Sequence, residues 1–415
     1  MKRVISVFVV LMLAATIIVG CAQQEAAPAP DAEALASENG DTPRYGEPGW
    51  AELGDIVIGN IQDLSGGTMV WGTSYMWGAE WAAEEINAAG GVGGRNVRIV
   101  TYDLEGADVT LGITAYNRLK DVDGAVAAMV MASNVGVALA PLSDEVRLPM
   151  VHSAMDERAT TNPDTGEPYQ FMFLTQLSSP QQGTIMGMFA MEHLGVTRAG
   201  VLYDNSNTYA TTHIHGGDGG FIEWWEANGG EIVAVENFDG TTDLDYRALL
   251  GVIQAAEPEV LFISSFVQQN MLAYRQAREM GMDIPIIGNN SFFIPFAELA
   301  EGMATQVFLP SNMNFDLPEV REIVDRVIEI EGSEPSNHFF FGQDNVNIIV
   351  EAIRRAGTTE PEALAAAIRE TTNFEGWTGT LTLNPDTHRP RRLEKWITQV
   401  EGFEYIPVMS FAMGD

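Results

Sequence analysis

The seven residues Ala125-Val126-Ala127-Ala128-Met129-Val130-Met131 carry no charge and no polar side chain. A run of that length reads as a strand buried on both faces, which requires a sheet covered on both sides. Ser133 and Asn134 follow, residue types that open helices by satisfying free N–H groups. Val135 to Val146 then has helical spacing. Arg147-Leu148-Pro149 ends that helix, and Met150-Val151-His152 reads as a second short strand running into Ser153-Ala154-Met155-Asp156. A strand, a crossover helix and a second strand make a parallel pair. Both strand ends carry small polar residues at the carboxyl edge, where open α/β sheets bind ligands. The helix start at Ser133 adds unpaired N–H groups that favour an anion such as a carboxylate. Ser and Asn also cap many helices that bind nothing, so the stretch alone does not decide for a ligand.

The same alternation fills the chain. Asp55 to Ile61 reads as a strand, Leu64 to Thr68 as a turn rich in Gly and Ser, and Tyr75 to Ala89 as a helix. Val97 to Asp103 is the next strand and Ala107 to Asp121 the next helix. From about Leu174 a second unit repeats the pattern, with strands at 199–204, 231–236, 260–264, 284–288 and 302–309 and helical spacing between most of them. Roughly 360 folded residues exceed what one core holds, so two α/β lobes are expected, each a doubly wound parallel sheet.

The N-terminus reads as an address. Lys2 and Arg3 precede the apolar stretch Val4 to Val19, which ends Ile18-Val19-Gly20-Cys21. That order is the pattern of a signal peptide, 1–21, and a small residue before Cys resembles a bacterial lipobox. Cys21 is the only cysteine, so no internal disulfide is possible and lipidation is the role expected of it. Residues 22–54, rich in Ala, Glu, Pro, Asp and Gly, are expected to form a disordered tether.

The formal net charge is −35, and lysine occurs only at Lys2, Lys120 and Lys395. A chain without a basic face has no means of holding a phosphate backbone, which excludes nucleic acid as a partner. The glycine run Gly90 to Gly94 follows a helix and precedes a strand, the reverse of a nucleotide-binding loop. His213-x-His215 is two imidazoles with no third ligand nearby, so no metal is expected. No cofactor is expected, and no nucleophile–base pair or G-x-S-x-G elbow supports catalysis.

Ile58-Gly59, Ser65-Gly66, Trp71-Gly72, Gly78-Ala79, the run Asn87-Ala88-Ala89-Gly90-Gly91-Val92-Gly93-Gly94-Arg95 and Tyr102-Asp103 together resemble the leucine/isoleucine/valine-type solute-binding proteins of bacterial ABC importers. The resemblance implies the type I periplasmic-binding-protein fold, in which the chain crosses between lobes three times. It places 55–174 and 311–378 in lobe 1 and 175–310 and 379–415 in lobe 2. It further implies an extracytoplasmic, lipid-anchored monomer that holds a small molecule between closing lobes and delivers it to an ABC permease. A sensor reporting to a membrane partner would use the same slot.

Carried over residue by residue, the resemblance implies a ligand site. Ser133 would take the ligand carboxylate, Ala154 would offer backbone groups, and Tyr209, Phe266 and Trp71 would supply aromatic surface. Asn290 stands where the family has the acid that pairs with an ammonium, and Asp156 stands where it has a hydroxyl. Three readings of Asp156 follow. It replaces the missing acid and the ligand is an α-amino acid. Or Asp156 and Asn290 together bind an amide, urea-like or aromatic ligand with N–H donors. Or Asp156 is an exposed cap turned away from the slot. In the slot it would repel a ligand whose only charge is a carboxylate.

Overall fold

The computed structural model describes residues 42–216, 219–293, 295–315 and 317–414. The expected signal peptide with Cys21, and most of the expected tether, lie outside the described residues.

The first sheet has β1 (Ile56–Gln62), β2 (Val97–Asp103), β3 (Ala127–Val130), β4 (Met150–His152) and β5 (Met172–Leu174), all parallel in the order β2-β1-β3-β4-β5. The crossovers are α1 (Met69–Ala88), α2 (Val109–Asp121) and α3 (Ser133–Val146). Alternation along the strands supplies both faces. Ile56, Ile58, Ala127 and Met129 pack in the core under α1, and Val57, Ile61, Ala128 and Val130 in the core under α2 and α3.

The second sheet follows α4 (Ser179–Phe189). It contains β6 (Arg198–Asp204), α5 (Thr208–Ile214), α6 (Phe221–Ala227), β7 (Glu231–Phe238), α7 (Arg247–Ala255), β8 (Val260–Ser264), α8 (Val267–Glu279), β9 (Ile286–Gly288), α9 (Phe296–Leu299) and β10 (Ala304–Ser311). The chain then returns to the first lobe with α10 (Pro318–Glu331), α11 (His338–Ala356) and α12 (Pro361–Arg369), followed by β11 (Phe374–Gly376), β12 (Gly379–Leu383), β13 (Pro390–Gly402) and β14 (Glu404–Met413). β6 to β10 pair in parallel, but β13 is antiparallel to β10 and β14 antiparallel to β13. The second sheet is therefore mixed at this end: β13 enters it antiparallel after the excursion through lobe 1, and a hairpin adds β14.

Two boundaries differ from expectation. Residues 43–54, expected in the tether, are anchored on lobe 1 through Trp50, which is 2% exposed in the lobe 1 core and whose indole N–H donates to Val92 O at 2.8 Å. The glycine run explains the fit, since Gly91, Gly93 and Gly94 have positive φ and a Cβ on Gly93 would press on the Trp50 ring. The third crossing, expected near Gly379, lies later. Leu381 and Leu383 are still buried in the lobe 1 core, and the chain leaves it between β12 and β13. There Leu174 N–H donates to His388 O at 3.0 Å, tying the first crossing to the third.

Candidate functional site

The carboxyl ends of both sheets face one cavity of about 390 Å³, close to the volume of a small organic ligand. Trp71, Ser133, Tyr209, Phe266 and Asn290 all line it, so residues from both lobes meet there.

On the lobe 1 wall, α3 starts directly after β3. Ala132 is the cap residue, in extended backbone with no side-chain cap bond, and the expected cap, Ser133, is instead the first helical residue. Gly136 N–H donates to Ala132 O at 2.9 Å, so the amides of Ser133 and Asn134 precede the helix's own hydrogen bonds. Ser133 Oγ accepts from Met155 N–H at 3.2 Å and so joins the ends of β3 and β4.

Trp71 belongs to the first turn of α1, not to a loop. Asp63, just past β1, sets that turn. Its Oδ1 accepts from Gly66 N–H at 2.8 Å and Gly106 N–H at 2.9 Å, and its Oδ2 from Thr68 N–H at 2.9 Å and Thr68 Oγ1 at 2.7 Å. Burial opposes its charge, but the hydroxyl and amide donors prevail and hold the carboxyl below its ordinary range.

The segment after β4 is extended, so its side chains alternate. Ser153 and Met155 line the cavity, while Ala154 and Asp156, one residue along from each, do not. Ala154 is fully buried beside Gly136 and Ala159 in the core beneath α3. Asp156 is 4% exposed and caps the short turn Glu157–Ala159. Its carboxylate accepts from Arg158 N–H and Nε at 3.0 Å each and from Arg158 Nη2 at 2.6 Å. It is thus a cap turned from the slot, though buried and ion-paired where exposure was expected.

On the lobe 2 wall, Tyr209 sits in α5, a helix that the polar sequence Asn205 to Tyr209 conceals. Asn207 caps it, accepting from Ala210 N–H at 2.7 Å. The Tyr209 ring lies parallel to Phe266, with centroids 5.5 Å apart and planes within 7°. Its phenol donates to Asn290 Oδ1 and lies 3.0 Å from Ser291 Oγ. Burial raises the phenol pKa well above its ordinary value, so Tyr209 is a neutral donor. Behind it, His213 Nδ1 lies 2.7 Å from Tyr209 O, and burial lowers the imidazole pKa to about 4. His213 therefore braces Tyr209, while His215 turns to Glu223 at 3.3 Å. Trp71 and Phe266 approach across the cleft with centroids 6.0 Å apart.

Two lining residues carry no local sequence signal. Gln176 lies in the first crossing, 1% exposed; its Nε2 donates to Ser153 O, and its Oε1 is buried with no partner among the described residues. His338 reaches the cavity from the start of α11, 5.9 Å from the Trp71 ring. Burial and then the nearby Lys395 charge lower its pKa to about 3, so it is neutral at pH 7. Tyr75 is buried behind the cavity, where Asn345 Nδ2 donates to its hydroxyl and Thr175 Oγ1 donates to Asn345 Oδ1 at 2.8 Å.

The model of a family described as periplasmic binding protein matches residues 55–403. The leucine-, isoleucine-, valine-, threonine- and alanine-binding protein of Pseudomonas aeruginosa is 27% identical over 337 residues, covering 79% of this chain and 85% of that protein. Among solved structures, a leucine-binding protein from Thermotoga maritima has a TM-score of 0.74 at 24% identity, covering 86% of this chain and 98% of its own. A solute-binding protein of an ABC transporter from R. palustris, solved in complex with benzoate, has a TM-score of 0.74 at 17% identity, covering 87% and 98%.

Proposed function

From the premise that this chain belongs to the periplasmic binding protein family, we propose that it is the extracytoplasmic receptor of an ABC importer. It binds one small amino-acid-like or amide-type molecule between two closing lobes and presents the closed form to a membrane permease. The observation that carries this reading is the cavity's double wall: Ser133 and Trp71 come from one lobe, Tyr209, Phe266 and Asn290 from the other. A ligand touching both walls favours the closed arrangement, because only differential affinity shifts such an equilibrium. In this reading Ser133 and the amides at the start of α3 receive a carboxylate or carbonyl. Trp71 and Phe266 cover the ligand body, and Tyr209 holds Asn290 in place. The chain works as a monomer tethered through lipid on Cys21, and no residue has a catalytic role.

The names of related proteins widen the choice of ligand. One relative is named for leucine, isoleucine, valine, threonine and alanine, and one structural neighbour holds benzoate. The sequence argument against a carboxylate-only ligand rested on Asp156, whose charge is closed on Arg158.

The test has two stages. A thermal-shift panel of amino acids, amides, ureas and aromatic carboxylates on the purified full chain identifies a ligand, expected to stabilise by a few kcal/mol at large excess. Deletion of the gene is then expected to abolish cellular uptake of that compound. Uptake that persists at the wild-type rate overturns the transport reading and leaves a sensor.

A further inference from the structure

We infer that the cavity selects a carboxylate with an aromatic body and a neutral hydrogen-bond donor, and rejects its α-amino counterpart. This rests on the solute-binding reading and narrows the ligand of the same site, replacing its amino-acid-like option with the acid that lacks the ammonium.

An amino acid brings an ammonium, and a buried ammonium without a counter-charge is costly. Among the described residues lining the cavity, Asp63 is the one acid. Its two oxygens already accept four hydrogen bonds from its own loop and from Gly106. Asp156 is closed on Arg158 and lies outside the lining. Asn290 stands on the wall opposite α3, and its Oδ1 takes the Tyr209 phenol proton. That orientation leaves the Asn290 NH₂ as the group offered to a ligand, a donor that an ammonium cannot use.

The remaining polar groups specify what does fit. The start of α3, a helix of 14 residues, presents free amides and the positive end of its dipole to a carboxylate. Gln176 Oε1 is a buried acceptor without a partner in the cavity lining. Leaving it unpaired is unfavourable, so the ligand supplies a hydroxyl or amide N–H. Trp71, Phe266 and Tyr209 bound the space with ring faces and edges, which suits a flat body. Aromatic area holds acids and amino acids alike; the missing counter-charge discriminates between them.

The test uses pairs that differ only by the ammonium: 3-phenylpropionate and L-phenylalanine, 3-(4-hydroxyphenyl)propionate and L-tyrosine, 4-methylpentanoate and L-leucine. Each is titrated into the purified full chain by calorimetry, in the wild type and in Asn290→Asp. That substitution keeps the shape, still accepts the Tyr209 proton and places a carboxylate opposite α3. The acid of an aromatic pair is expected to bind about tenfold or more tighter than its amino acid in the wild type, with the gap closing or reversing in N290D. Equal or tighter binding of the amino acids by the wild type overturns this inference and leaves the solute-receptor reading standing. Absence of heat from every pair also overturns it, and the receptor reading is then judged by the uptake experiment alone.

Discussion

Lys395 is one of three lysines in the chain and is fully buried on β13, its ammonium nitrogen without a hydrogen-bond partner among the described residues. Alternation puts it on the same face as Leu393 and Ile397, both in the apolar core beneath α4. Burial lowers its pKa to about 7, against about 10.4 in an unfolded chain. Between those values the unfolded chain holds the proton more firmly, so folding stability rises as pH rises from about 7 towards 10. The stabilisation is lost as pH falls to the folded value, and no more is lost below it. Lys395→Met, close in volume, is expected to raise the melting temperature at pH 7 by several degrees and to flatten this slope. A melting temperature that falls in K395M, with the slope unchanged, would show that the amine has a partner. Residue identities were readable from sequence where the residue type itself speaks, as with Ser133 and the aromatic residues. Side-chain direction was not. One position separates Ser153 and Met155 in the cavity from Ala154 and Asp156 behind it, and a slip of one in extended chain exchanges the faces.

At the scale of elements, α1 and α11 pack with backbones in contact. A Cβ on Gly78 would overlap the carbonyl of Phe339, and one on Gly342 would overlap the carbonyl of Tyr75. Alanine is favoured over glycine in a helix by about 1 kcal/mol, but neither backbone can yield, and overpacking costs about 1–3 kcal/mol. Gly342→Ala is therefore expected to lower the unfolding free energy in urea by about 2 kcal/mol; a gain in stability would mean the helices have room to separate. The parallel strands were legible because runs such as Ala125 to Met131 are apolar throughout. The first turn of α1 was not, because its start is set by Asp63 taking the Thr68 amide and hydroxyl, a tertiary choice of cap. The long hairpin β13–β14 was missed because its residues alternate with charges, as in Arg391-Arg392-Leu393-Glu394, and its partner β10 lies some eighty residues earlier.

The whole molecule repeats one device in both lobes. Asp204, at the end of β6, does what Asp63 does after β1: it accepts from Ser206 N–H at 2.8 Å, Gly240 N–H at 3.0 Å and Ser265 Oγ at 3.0 Å. Each lobe thus holds its own half of the cavity rim through contacts made within that lobe. The whole chain carries a net charge of −35, whose self-repulsion opposes compactness. The melting temperature is expected to climb by several degrees between about 0.1 and 1 M NaCl, as the screening length falls from about 10 to 3 Å. A fall with salt would instead mean that surface ion pairs such as Arg247–Glu279 outweigh the repulsion. The two-lobed architecture could be read from repetition of the β-α pattern. The crossings could not be placed as well, since position 379 belongs to one lobe's packing and leads into the other lobe's sheet.

The pair Tyr209–Asn290 has a genetic consequence. The phenol donates to Asn290 Oδ1 and would donate as well to an aspartate, so the scaffold does not record which of the two stands there. Asparagine and aspartate codons differ at one base. If the cavity discriminates as inferred, the compound it binds lies one transition mutation from another class of compound. A population moving between environments could cross that step in either direction without an unstable intermediate.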